Sequence, residues 1–146
     1  MADKVLIFQT SVSATKILVD YFTRQGDQVW HTSAASHFVT ILSKEKPDIA
    51  IVDMHTPGNE WLRIVTHLRQ HYSQTKVIVT NRYPDVRREF LAKSQGVQVF
   101  LREPFTPNWI DRALQRLKTE QRETPSIQAV TWGVPRVRVS MRLKVT

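Results

Sequence analysis

The chain has 146 residues and a formal net charge of +8, with 41% hydrophobic residues, seven prolines and four glycines. That balance describes one globular domain long enough to bury a core, not a disordered or fibrous chain. The lack of cysteine excludes disulfides, thiolate catalysis and zinc–thiolate sites. No apolar run reaches the length of a membrane span, and Met1-Ala2-Asp3-Lys4 does not open a secretory leader.

Taken in order, Lys4–Phe8 is an apolar run that reads as a buried strand. Val12 to Gln25 reads as a helix with Ile17, Leu18, Tyr21 and Phe22 on one face, capped by Ser11 or Ser13 and ended by Gly26. Gln28 to Thr32 is a shorter strand. Ala34 to Lys44 is a second helix, turned inward by Phe38, Ile41 and Leu42 and stopped by Pro47. Ile49-Ala50-Ile51-Val52-Asp53-Met54 is apolar at consecutive positions, the mark of a strand buried on both faces in a parallel sheet. It ends in an acid. Asp53 therefore sits on the rim where open α/β sheets hold their ligands, or it caps the next turn and does nothing more.

His55 to Asn59 is turn chemistry, and Glu60 to His71 is a third helix through Leu62, Ile64, Val65 and Leu68. Lys76 to Thr80 is a fourth strand. Pro84 opens a fourth helix that Gly96 closes. Val97 to Leu101 is a fifth strand. Pro104 and Pro107 bracket a loop, and Thr106 or Asn108 caps a fifth helix through Trp109, Ile110, Ala113, Leu114 and Leu117. Five strands alternating with five helices predict a doubly wound parallel sheet with helices on both faces and right-handed crossovers. The domain is expected to close near Lys118, within residues 1–120.

Few residues point to chemistry. There is no Gly-rich phosphate loop, no nucleophilic serine motif and no carboxylate dyad, so no intrinsic enzyme is expected. His67 and His71 lie four apart on the third helix, the spacing of a metal pair. With no carboxylate or third histidine near them in sequence, they read first as surface residues. His55 stands over Asp53 as a rim contact or a general base, but it has no nucleophile to serve.

Residues 4 to 118 resemble the receiver domain of two-component response regulators, the flavodoxin-like fold of chemotaxis regulators. The likeness rests on the first strand, the strand ending in Asp53, Pro57-Gly58 after it, Tyr83 after the fourth strand, and Phe100-Leu101 before Pro104-Phe105. It implies a five-stranded sheet of order 2-1-3-4-5 and places Asp53 at the phosphoacceptor position. It also implies that Phe100 takes the place of an aromatic switch residue. The fourth helix, fifth strand and fifth helix then form a dimer or partner face, with Arg87, Arg88 and Lys93 as its basic edge.

The departures from the family pattern are as informative. The acidic pair that would hold magnesium with the phosphoacceptor is Gln9 and Thr10 here, which leaves at most a weak magnesium site at Asp53. The family's lysine before the Pro-Phe pair is Glu103, and a carboxylate there repels a phosphoryl group. The switch hydroxyl falls on Asn81, followed by Arg82, and the glycine after the turn is Trp61. These substitutions suggest a degenerate, or pseudo-receiver, domain in which Asp53 is held in a salt bridge. Arg82, on the adjacent strand's rim, is long enough to reach Asp53 or Glu103. Trp61, at a turn-to-helix position, is expected to be partly exposed and to mark a contact.

Three functional readings follow. The first is a signalling module of a phosphorelay protein that acts through protein contacts, without phosphorylation or with weak phosphorylation. Its partners would be a histidine kinase, an attached output domain or a second copy. The second is a working phosphoacceptor at Asp53, switching through Asn81 and Phe100. The third, ranked below both, is a small-ligand binder of the same fold, for which Gln9-Thr10-Ser11-Val12-Ser13 lacks the glycine of a phosphate turn. No cofactor beyond weak magnesium is expected, nor nucleic-acid binding by residues 1–120.

About half of the excess positive charge falls in residues 121–146, where Arg122, Arg136, Arg138, Arg142 and Lys144 stand against Glu123. This tail reads as a linker or a juxtamembrane segment before a further domain, in preference to a DNA contact through Trp132. The expected location is the cytoplasm, including the cytoplasmic side of a membrane-anchored protein.

Overall fold

The computed structural model describes residues 2–123. The basic tail discussed above lies outside the described residues, apart from its first three positions. The elements run β1 (Lys4–Phe8), α1 (Val12–Arg24), β2 (Gln28–Thr32), α2 (Ala35–Glu45), β3 (Ile49–Asp53), α3 (Glu60–His71), β4 (Lys76–Asn81), α4 (Val86–Ser94), β5 (Val99–Arg102) and α5 (Pro107–Glu123). The compact unit extends to Leu114, and the remainder of α5 belongs to the second unit.

All strand pairs are parallel, and the sheet order is β2-β1-β3-β4-β5, as the alternation and the resemblance predict. β1 and β3 occupy the centre and carry consecutive apolar residues because neither face meets water. On one face, Leu6, Phe8, Ala50, Val52 and Val79 pack with Phe38 and Leu42 of α2, Ile64 and Leu68 of α3, and Ala92 of α4. The alternate residues Val5, Ile7, Ile51 and Ile78 are equally buried and face the other side. There α1 and α5 are joined by the Tyr21 hydroxyl, which donates to the Asp111 carboxylate.

The helix starts follow from local chemistry. Ser11 caps α1, its hydroxyl accepting from the Ala14 N–H. α4 begins later than Pro84 suggests. Asp85 is its cap and accepts from the Arg88 N–H, so the proline lies in the loop before it. β5 likewise begins at Val99, two residues after the expected Val97, and runs to Arg102. β4 runs one residue past Thr80, to Asn81.

Trp61 corrects an expectation. It is fully buried, not partly exposed, and belongs to the core with Ile64, Val65 and Leu68. Because α3 starts at Glu60, these residues fall at the i, i+3, i+4 and i+7 positions of one inward face. A core indole cannot be a partner contact.

Candidate functional site

In a parallel sheet, adjacent strands end at the same edge. The ends of β1, β3, β4 and β5 therefore bring Gln9, Thr10, Asp53, Thr80, Arg82 and Glu103 together, although they are far apart in sequence. Asp53 is fully buried, and both its carboxylate oxygens are occupied. Oδ2 accepts from the Thr10 hydroxyl at 2.6 Å, the Thr10 N–H at 3.2 Å and Arg82 Nη2 at 3.0 Å. Oδ1 accepts from the His55 N–H at 2.9 Å.

Arg82 is the hub. Its Nη2 also donates to the Thr10 hydroxyl at 2.9 Å, and its Nε lies 3.6 Å from Glu103 Oε2. One guanidinium thus serves two carboxylates, each through a different nitrogen of its planar fork. The sequence expectation that Arg82 reaches Asp53 or Glu103 holds for both. Burial raises the pKa of Glu103 above the usual carboxylate value, with the nearby charge of Asp53 adding to the rise and Arg82 opposing it.

Gln9 fills the place of an acid with a neutral amide. Its Oε1 accepts from the N–H groups of Thr10 and Ser11, and its Nε2 donates to the Thr80 hydroxyl at 3.0 Å. The hydroxyl that sequence reading missed at Asn81 is therefore present one residue earlier. Thr80 is the residue paired with Asp53 across β3 and β4. Asn81 instead turns to α4, donating to Glu89 at 3.0 Å.

A second group surrounds His55. Arg88, expected on an exposed basic edge, turns inward, and its Nη1 donates to the Met54 carbonyl at 3.0 Å and to His55 Nδ1 at 3.2 Å. An arginine has only donors, so His55 Nδ1 is the acceptor and the imidazole is neutral there. Burial first, and the cations Arg88 and Arg82 with it, lower the His55 pKa, although Asp53 and Asp85 oppose the shift. Tyr83 packs edge-on against the ring at 4.9 Å. Arg87 is exposed, and Phe100 is half-buried beneath Lys93, whose ammonium is 5.8 Å from the ring centre.

These residues do not fit a magnesium ion. Hard cations need free carboxylate and carbonyl oxygens. Among the described residues, Asp53 is the carboxylate beside Thr10 and accepts from four donors, one already a cation, while the nearby Glu103 faces the same guanidinium. Among the described residues, no group of three or more His, Cys, Asp or Glu side chains is placed to hold a metal.

A family model described as the response regulator receiver domain matches residues 5–115. The chain belongs to that family. Among curated proteins, sporulation initiation phosphotransferase F of Bacillus subtilis is 23% identical over 116 residues, covering 80% of this chain and 94% of that protein. Regulatory protein VirG of Rhizobium rhizogenes is 25% identical over 123 residues, and YxdJ, a transcriptional regulatory protein of Bacillus subtilis, is 24% identical over 134. The matches cover 84% and 90% of this chain but only 50% and 56% of those two regulators. Among solved structures, chemotaxis response regulator CheY4 of Vibrio cholerae superimposes with a TM-score of 0.72 at 21% identity, over 80% of this chain and 99% of that one. A CheY-like receiver domain protein of Methanospirillum hungatei gives 0.74 at 14%, over 84% and 99%. At these identities the structures speak for the receiver fold alone. The receiver domain accounts for the sheet order and for the rim on which Asp53 stands.

Proposed function

We propose that this receiver domain is a phosphorylation-independent module of a two-component regulatory protein, in which Arg82 is held against Asp53, the residue at the phosphoacceptor position. The observation that carries this reading is the Arg82 bridge from buried Asp53 to Glu103. A phosphoryl group on Asp53 would have to displace Arg82 and then face Glu103. At an effective dielectric of about 20, two like charges ~4 Å apart repel by roughly 4 kcal/mol. The domain then binds protein partners, a kinase or an attached output domain among them, through surfaces that do not await a switch. It is a binding module and not an enzyme. Among the described residues, no helix is long and apolar enough to cross a membrane.

Asp53 and the in-register hydroxyl of Thr80 favour a second reading, a receiver that still accepts a phosphoryl group once Arg82 swings away. A magnesium and beryllofluoride titration separates the two, read by tryptophan fluorescence and amide NMR. The first reading expects no response at millimolar magnesium in the native chain. Saturable binding that Asp53→Asn abolishes would establish the second.

A further inference from the structure

His67 and His71 take no part in the site described above. They occupy successive turns of α3, with ring centres 4.9 Å apart and planes tilted by 49°. That separation is informative. A metal bound to an imidazole nitrogen at about 2.0 Å sits roughly 3.2 Å from the ring centre. Two such rings would be about 4.5 Å apart at a right angle and about 5.2 Å apart at a tetrahedral angle. The observed distance falls between these limits, so the ring spacing matches that of two imidazoles sharing one cation. His71 is exposed, and His67 lines an open hollow of about 350 Å³ with Asn59, Leu62, Arg63, Thr66 and Gln70, so both are reachable from solvent.

We infer that His67 and His71 form a two-histidine site for a borderline transition-metal ion, copper(II) foremost, with water in the remaining positions. The donor set excludes magnesium and calcium, which require oxygen ligands. Arg63, one turn before His67 in the same hollow, further disfavours ions held by charge alone. Imidazole nitrogens suit zinc, nickel and copper, and copper(II) binds tightest of the three at an undemanding site. The inference is independent of Arg82, and its failure would leave the reading of Asp53 untouched.

Copper(II) titrated into the full chain tests the site. At one equivalent, the ring NMR signals of His67 and His71 are expected to bleach while those of His31, His37 and His55 persist. Electron paramagnetic resonance should show coupling to two nitrogens. His67→Gln and His71→Gln should each weaken binding at least tenfold. A one-nitrogen spectrum, bleaching spread over all five histidines, or unchanged affinity in both variants would overturn the assignment. The spectrum of the native chain decides the matter even if His67→Gln fails to fold.

Discussion

At the amino-terminal edge of the sheet, Asp48 accepts from the Lys4 N–H at 2.8 Å and Asp27 from the Asp3 N–H at 2.9 Å, both at exposed positions. At the carboxyl edge, Asp53 also accepts from backbone N–H groups, but it is fully buried and carries a guanidinium as well. The hydrogen-bond geometry is similar, and the surroundings decide what each acid costs to alter. Water replaces a lost partner at the first edge. At the second, nothing replaces Arg82, and a charge stripped of its partner stays in a low-dielectric setting.

Substitutions at the two edges turn that contrast into numbers. The largest effect belongs to Arg82→Ala, expected to cost about 2–4 kcal/mol in urea unfolding at pH 7, the range for breaking a buried pair that is partly open to solvent. The loss should shrink at acid pH, where protonation removes the unpaired charges, and Arg82→Ala with Asp53→Asn should recover much of it. A loss equal at pH 7 and pH 4 would show that Arg82 acts by packing alone. Thr10→Val removes a donor to Asp53 and an acceptor for Arg82, and should cost about 1 kcal/mol in the same assay.

Asp48→Ala, at the exposed edge, should cost about 0.5 kcal/mol, because water can satisfy the Lys4 N–H. If its cost matched that of Arg82→Ala, the contrast between the edges would fail. The smallest effect is a change of slope. Glu103 has a raised pKa in the folded chain, so its contribution to stability is lost as pH rises from the ordinary glutamate value through the folded one. Glu103→Gln should flatten the stability profile over that window, as measured by urea midpoints at half-unit pH steps.

The strands and helices were legible because parallel strands leave unbroken apolar runs and the helices keep a 3.6-residue period. The Arg82 bridge was legible for a related reason: sheet order places its strand beside that of Asp53, and an arginine spans the gap. Trp61 was misjudged because its place in the family pattern was weighed above its own spacing from Ile64, Val65 and Leu68, a signal present in the sequence. Thr80 was missed because the register of β4 against β3 sets which side chain stands level with Asp53, and an unbroken apolar run does not reveal it. The inward turn of Arg88 had no sequence signal. Its partners are the Met54 carbonyl, which every residue has, and a histidine 33 positions away.

A magnesium ion in a site of this kind comes and goes with the medium, and chelation or dilution removes it. Arg82 is tethered. Its local concentration beside Asp53 is set by the two-residue reach from Thr80 and not by anything dissolved around the protein. The cation beside Asp53 is thus supplied by the chain itself, and a swing of the Arg82 side chain or a change in the gene would remove it.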